Sequence, residues 1–319
     1  MKKLIFIPAA ITFYGVFSFM YASYSFEEEK QKSYEKLAKE LKHELQNEKR
    51  FAKDRGITNA ISISENADIK RSLLHNNRKL AIKTLQKIEK NFADRTSVKH
   101  MKVHIHTKDT RAFVRSWKLN KFGDDLSGFR KAIVEVKITH EPFFGFEVGR
   151  MGLTLRSIVP IIDNEKFIGS LEFIQNFDKI VKIFKRKEYS YLLLIDKSLL
   201  NVAKYLKEAP ELGPYILSSR IFDMKFLKAS QKIDFQALKK DGYFMSDQYF
   251  YAYEDIKDTK GSIAGIHLLA MPAQRVRKEL NAAKNEVIKM VAMQTLFIFL
   301  ILGVLALLYL LISSARNSK

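Results

Sequence analysis

The sequence predicts an α+β, two-transmembrane-helix protein in which a long N-terminal helix leads from the membrane into a strand-rich body. Three observations carry this. The two longest charge-free runs lie near the two ends, at 4–26 and 290–312. Between about 30 and 94, apolar residues recur every three or four positions, the period of a helix with one buried face. From Met101 onward apolar residues alternate instead, or cluster in short runs bounded by glycine and polar turns, which is the strand pattern.

The end segments decide the compartment. LIFIPAAITFYGVFSFMYASYSF, from Leu4 to Phe26, has no charged side chain. At about 1.5 Å per residue it is long enough for a hydrocarbon layer of ~30 Å. MVAMQTLFIFLILGVLALLYLLI, from Met290 to Ile312, has Gln294 as its one strongly polar residue and is the stronger span. Lys2 and Lys3 also allow the first run to be a cleaved signal peptide. Its length and the lack of an A-x-A site speak against that. Basic residues outside the spans (Lys2, Lys3, Arg316, Lys319) and acids just inside the first (Glu27, Glu28, Glu29) put both termini in the cytoplasm. Residues 27–289 are then expected outside the inner membrane of a bacterial cell. A chain with no cysteine suits an oxidising compartment.

With 47% hydrophobic and 12% aromatic residues over 319 positions, the composition supports one or two packed domains and argues against disorder. The formal charge of +20 raises the question of nucleic acid. Basic residues are interleaved with acids along helices and no aromatic-basic strand signature is present, so a nucleic-acid partner is not predicted. The excess reads as a solvated surface near anionic lipid, with a bias toward anionic ligands.

In chain order, Tyr34, Leu37, Leu41, Leu45 and Phe51 mark one face of the first long helix, with Glu35 and Lys39 as an i,i+4 pair. A second helix is expected over 67–94, with Ser64 or Asn66 as its cap and His75 on its surface. Met101, Val103 and Ile105 alternate with Lys102, His104 and His106, and Phe113 to Trp117 reads as a partner strand. DDLSGFRKAIVEVKITHEP is expected to begin with a helix capped by Asp125 or Ser127 and to end before Pro142. Strands follow at 143–148, 153–162 and 167–175, the last two joined by the turn DNEK, and then a short amphipathic helix in NFDKIVKIFKRK. YSYLLLIDKSLL, GYFMSDQYFYAYEDIKD and GSIAGIHLLAMP supply further strands. The KEAPELGP region reads as loops and short helices.

The stretch 115–173 concentrates the chemistry. Gly123, Gly145, Gly149, Gly152 and Gly169 suggest sharp turns or positive φ between short strands. Among them stand charges beside apolar residues that read as half-buried. Arg115, Arg130, Arg150 and Arg156 are candidate anion clamps, because a guanidinium donates two parallel hydrogen bonds to a carboxylate or phosphate. Trp117 and Phe146 are candidates for an apolar wall, and Asp125 and Glu147 for receiving an ammonium group or orienting the arginines. A buried Glu147–arginine pair that only fixes turn geometry is the competing reading. Asp124 reads as a turn residue. His104 and His106 share a strand face, but the nearby sequence offers no third or fourth ligand, so neither a metal nor another cofactor is predicted.

RSW, FGDDLSGFR, P-x-x-G-x-E-x-G-R-x-G-L-x-L-R and PI-x-DNEKFIGSLEF together resemble the membrane-distal half of double Cache sensor domains, found in bacterial chemoreceptors, sensor histidine kinases and diguanylate cyclases. The resemblance implies tandem PAS-like antiparallel sheets outside the membrane, with a small molecule bound in the distal module. It divides the chain into a first span (1–26), a membrane-to-sensor helix (27–66), a distal ligand-binding module (67–187), a proximal Cache-like module (188–272), a return helix (273–289), a second span (290–312) and a short cytoplasmic tail (313–319).

The function expected is a membrane-anchored sensor for a small anionic or zwitterionic metabolite, acting as a homodimer and passing occupancy to a cytoplasmic signalling partner. Such receptors continue into a HAMP linker and an output module, whereas this sequence stops at ISSARNSK; it reads as a sensor-only chain or as a piece of a longer one. A module recognising a periplasmic binding protein or a partner receptor is the alternative. No HExxH, GxSxG, P-loop or kinase motif is present, so no enzyme is expected.

Overall fold

The computed structural model describes residues 6–96, 101–175, 177–259 and 261–317. They divide into two compact units. The larger comprises Glu40–Phe244 and Tyr251–Met271; the smaller comprises Met1–Lys39, Met245–Phe250 and Pro272–Lys319.

Helix α1 runs unbroken over Phe6–Ser64. Leu37, Leu41 and Leu45 repeat every fourth residue and are fully buried, which is the one-face pattern of a helix packed along its side. The helix expected over 67–94 is instead two, α2 (Ala67–Leu74) and α3 (Arg78–Arg95). The chain breaks at His75–Asn77 because Asn76 adopts a left-handed φ of 49° and Asn77 caps α3, its Oδ1 accepting from the Leu80 N–H at 3.1 Å. Asn66 caps α2 as its sequence position suggests, accepting from the N–H groups of Asp68 and Ile69.

Strands β1 (Lys102–Thr107), β2 (Ala112–Arg115), β3 (Phe143–Gly149), β4 (Gly152–Asp163) and β5 (Lys166–Gln175) form an antiparallel sheet in the order β2-β1-β5-β4-β3. Helix α4 (Lys131–Thr139) lies between β2 and β3 in sequence. It starts later than its sequence suggests, and neither Asp125 nor Ser127 caps it; Asp125 instead accepts from the N–H and hydroxyl of Ser127 in a turn of its own. One face of the sheet places Val103, Ile105, Val159, Ile161, Leu171 and Phe173 against Ala60 and Ile63 of α1, Ile69 of α2 and Leu85 of α3. The other face lies under Leu126 and the α4 residues Ala132, Ile133 and Val136, which pack with Ile158 and Phe143.

After α5 (Asp178–Arg186) comes a second sheet. It contains β6 (Ser190–Asp196), β7 (Glu211–Leu212), β8 (Tyr215–Leu217), β9 (Tyr243–Met245), β10 (Tyr249–Lys257) and β11 (Ile263–Pro272), ordered β7-β8-β6-β11-β10-β9. The short helices α6 (Met224–Ser230) and α7 (Phe235–Asp241) interrupt it in sequence, each capped by an aspartate, Asp223 and Asp234. The KEAPELGP region thus supplies strands, β7 and the approach to β8, where loops and helices are expected; β6 gives the short β8 a ready edge to pair with.

Within the smaller unit, Tyr34 stacks on Phe250 at 5.4 Å between ring centres and Lys36 pairs with Glu279 at 2.9 Å. Helix α8 (Ala273–Asn317) closes the chain. Among the described residues it is the one helix long and apolar enough to cross a membrane, its apolar stretch having a mean hydropathy of 2.6 and no burial. The first predicted span lies partly outside the described residues.

Two glycines are needed for close approach of strands. A Cβ on Gly169 would sit 2.3 Å from the His106 carbonyl oxygen, and one on Gly265 would sit 2.0 Å from that of Leu194. Gly128, also outside the positive-φ region, has open space at the same position. Gly169→Ala and Gly265→Ala are each expected to destabilise by about 1–3 kcal/mol in denaturant melts of the full chain, with Gly128→Ala within about 0.5 kcal/mol of wild type.

Candidate functional site

The covered face of the first sheet carries an unusual load of charge. Side chains alternate along a strand, so His104 and His106 of β1, Ser170 and Glu172 of β5, Arg156 of β4 and Glu147 of β3 all stand on the face beneath α4. Register does the rest: His104 lies opposite Glu172, and His106 opposite Ser170. Glu172 is fully buried, His104 and His106 are essentially so, and Glu147 and Arg156 are 8% exposed.

These groups form one network. The Arg130 guanidinium donates to Glu147 Oε2 at 2.8 Å and to Glu172 Oε1 at 2.6 Å. Arg156 reaches the same two carboxylates: it donates through Nη1 to Glu172, and its Nε lies 3.0 Å from Glu147 Oε2 without the alignment of a hydrogen bond. Two guanidinium groups thus balance two carboxylates. Burial alone would raise the Glu172 pKa, but Arg130 and Arg156 outweigh it and hold the carboxyl well below its ordinary range. Burial tends to strip the Arg130 proton, and Glu172 and Glu147 reverse that, so its pKa is raised.

Burial lowers the His104 pKa to about 4 despite the nearby Glu172. It lowers His106 well below its ordinary value, with His104 adding to the effect. Both imidazoles are neutral at pH 7. His104 Nδ1 lies 3.3 Å from Glu172 Oε2 and must carry the proton, because an ionised carboxylate only accepts. Its Nε2 is then a bare acceptor, and it is buried with no partner among the described residues. His106 Nδ1 meets Ser170 Oγ at 2.9 Å, and its Nε2 is also without a hydrogen-bond partner among them. Buried polar atoms are satisfied in the large majority of cases, so these two nitrogens are where a water or another polar group would be accommodated, although His106 Nε2 also lies 3.8 Å from Glu172 Oε2.

The third ligand that the local sequence does not offer His104 and His106 is therefore Glu172, 68 residues from His104 in sequence. The three residues present one ligand atom each within 4.8 Å of one another. Two guanidinium groups already hold that carboxylate, however, and a dication would add uncompensated positive charge to a buried site. The donor set fits a metal poorly.

The other candidates scatter. Arg115 forms a two-pronged pair with Asp124, both contacts 2.7 Å, and donates to the Lys121 carbonyl; Asp124 is an ion-pair partner rather than a plain turn residue. Arg115 lowers the Asp124 pKa, and the Ser127 N–H lowers that of Asp125, which lies exposed at the surface. Trp117 is 43% exposed, with its ring edge-on to His104 at 5.8 Å. Phe146 does not join it in one wall but stacks on Phe177 and meets His267. Arg150 is exposed in the β3–β4 turn. The structure thus gathers Arg130, Glu147 and Arg156 and leaves Arg150, Asp125 and Phe146 elsewhere.

Segment 116–130 has little regular structure; Leu126 packs on this face and Trp117 meets His104, while Leu119 packs on the opposite one, and three arginines pin the segment. Arg78 donates to the carbonyls of Phe113 and Leu119 and lies 3.9 Å from the centre of the Phe122 ring. Arg111 donates to the Gly123 carbonyl at 3.0 Å, and Arg115 holds Asp124. Nothing local in the sequence reveals the part played by Arg78.

Two outcomes are expected. Arg115→Met removes the two-pronged pair and should speed amide hydrogen exchange across 116–130 by about tenfold while leaving the core of β4 and β5 unchanged. In acid, His104 binds a proton more readily unfolded than folded. Its contribution is therefore full above its ordinary value of 6.5 and is lost as pH falls toward about 4. Unfolding free energy from denaturant melts should drop by about 3 kcal/mol across that window from this residue. Substitution of His104 by Gln should flatten the slope.

Among known proteins, no curated sequence matches this chain. The sensory domain of the Campylobacter jejuni chemoreceptor Tlp3 is 14% identical, with a TM-score of 0.47 over 81% of this chain and 99% of that one. The same domain is known in complex with L-valine. The sensor domain of the V. cholerae histidine kinase DctB is 13% identical, with a TM-score of 0.41 over 75% of this chain and 98% of that one. The family described as the double sensory domain of two-component sensor kinases matches residues 27–204, more than half of the sequence, and the chain belongs to this double Cache family.

Proposed function

We propose that the chain is a membrane-anchored extracytoplasmic sensor that binds a small zwitterionic or anionic metabolite on the covered face of its first sheet. In this reading it works as a homodimer, catalyses no reaction, and passes occupancy through two membrane helices to a cytoplasmic signalling partner. The observation that carries the proposal is the buried, charge-balanced network of Arg130, Arg156, Glu147 and Glu172 beside two imidazole nitrogens that make no hydrogen bond among the described residues.

The chemistry favours a zwitterion. A ligand carboxylate can take one fork of Arg130 or Arg156, and its ammonium group can take the carboxylate thereby released. The exchange keeps the buried charge at zero, whereas a bare anion leaves it negative. His104 Nε2, which wants a donor, supplies a further site for the ammonium hydrogens. Entry requires displacement of the 116–130 segment, so ligand-bound and empty forms differ in how that segment lies. The signal available is limited to the ligand's preference for one form over the other.

The chain has one tryptophan, Trp117, and it lies on this segment against His104. Free amino acids screened against the full chain in detergent should include some that shift Trp117 emission. Those same compounds should add about 2.7 kcal/mol of stability at a hundred times their Kd. Their N-acetyl derivatives, lacking the ammonium charge, should do neither. A screen of amino acids, amines and carboxylates that moves neither emission nor stability rules the reading out.

A further inference from the structure

A second feature lies apart from this face. Where the starts of β1 and β4 and the end of β5 approach α5 and the segment after β8, the larger unit leaves a cavity of about 600 Å³. Its lining is mixed, with Phe92, Leu155, Phe173 and Phe177 forming an apolar part. Around them stand four cations: Arg55 of α1, Lys102 of β1, Lys179 of α5 and Arg220 of the segment after β8.

None of these four has a hydrogen-bond or ion-pair partner among the described residues, whereas Asp178, the one acid on the lining, has an interaction of its own. The cations also repel one another. Lys102 has its pKa lowered by burial and by Arg220, and Lys179 by burial and by Arg55, against a weaker opposing pull from Glu48. Four positive charges gathered around a cavity with an apolar part, with too little negative charge beside them, describe a site complementary to an anion. Two hydroxyls complete it. Ser218 Oγ accepts the Leu153 N–H at 3.1 Å and Ser219 Oγ accepts the Leu193 N–H at 2.8 Å, which leaves each hydroxyl hydrogen to donate.

We infer that this cavity binds a small organic anion carrying one or two carboxylate or phosphate groups on an apolar frame, at a site separate from the network around Glu172. Such a ligand would touch β4 and β5 of the first sheet and the segment that follows β8 of the second, and so tie the two together. The inference does not depend on what the covered face binds.

The test uses the full chain in detergent, with phenylacetate, succinate and inorganic phosphate as probes at constant ionic strength and chloride as the reference. Amine modification of Lys102 and Lys179 is followed by peptide mass spectrometry. At least one probe should slow Lys102 modification by about tenfold relative to chloride. Arg55→Met combined with Arg220→Met should abolish that protection, and Trp117 emission should stay unchanged. Phenylacetamide, the neutral counterpart of phenylacetate, should protect no better than chloride, and this comparison on the unaltered chain decides the matter if the double variant does not fold. The inference is overturned if all three anions behave as chloride does, if the double variant keeps full protection, or if the amide protects as well as the acid.

Discussion

One buried carboxylate organises the first sheet. Glu172 stands in the middle of β5 with no exposure, and a lone ionised group there would be prohibitively costly. Everything around it answers that cost. Arg156 comes from the neighbouring strand, Arg130 from the residue just before α4, and Glu147 balances the second guanidinium. The position of α4 is tied to the same requirement, since Arg130 must reach both acids while Ala132, Ile133 and Val136 pack on the sheet. Replacing such a network wholly by apolar residues of similar size is often neutral for stability, whereas removing one member alone leaves a buried charge uncompensated.

The elements with strong periodicity were legible in the sequence. The long helix, the β3–β4–β5 meander and the strand at β6 each carry a pattern long enough to outweigh local ambiguity. Shorter features escaped. Strands β7 and β8 have two and three residues, too few to show alternation; β8 exists because β6 offers it an edge, and β7 because β8 does. The break between α2 and α3 hides inside an apolar repeat that continues across it, although Asn76 and Asn77 are residue types that tolerate such a turn.

The site was half legible for a related reason. Residue type alone marked Arg130, Glu147 and Arg156 as charges in an apolar setting, and in this structure Glu147 lies within ion-pair distance of both arginines. The partner that holds them together, Glu172, reads locally as an ordinary strand residue. Its importance comes from the register of β5 against β1, which no local pattern encodes. For Arg115, the fork that suggested a ligand clamp is spent on Asp124, nine residues away.

The unpaired cations around the cavity near α5 have a physiological corollary. Arg55, Lys102, Lys179 and Arg220 attract by field rather than by a closed set of hydrogen bonds, and two of them, Lys179 and Arg220, reach solvent. Bulk electrolyte screens such a field over about 8–10 Å at ordinary ionic strength. The occupancy of that cavity would therefore fall as the ionic strength of the surroundings rises even at constant ligand concentration, so that what the site reports depends on the salt of its medium as well as on its ligand.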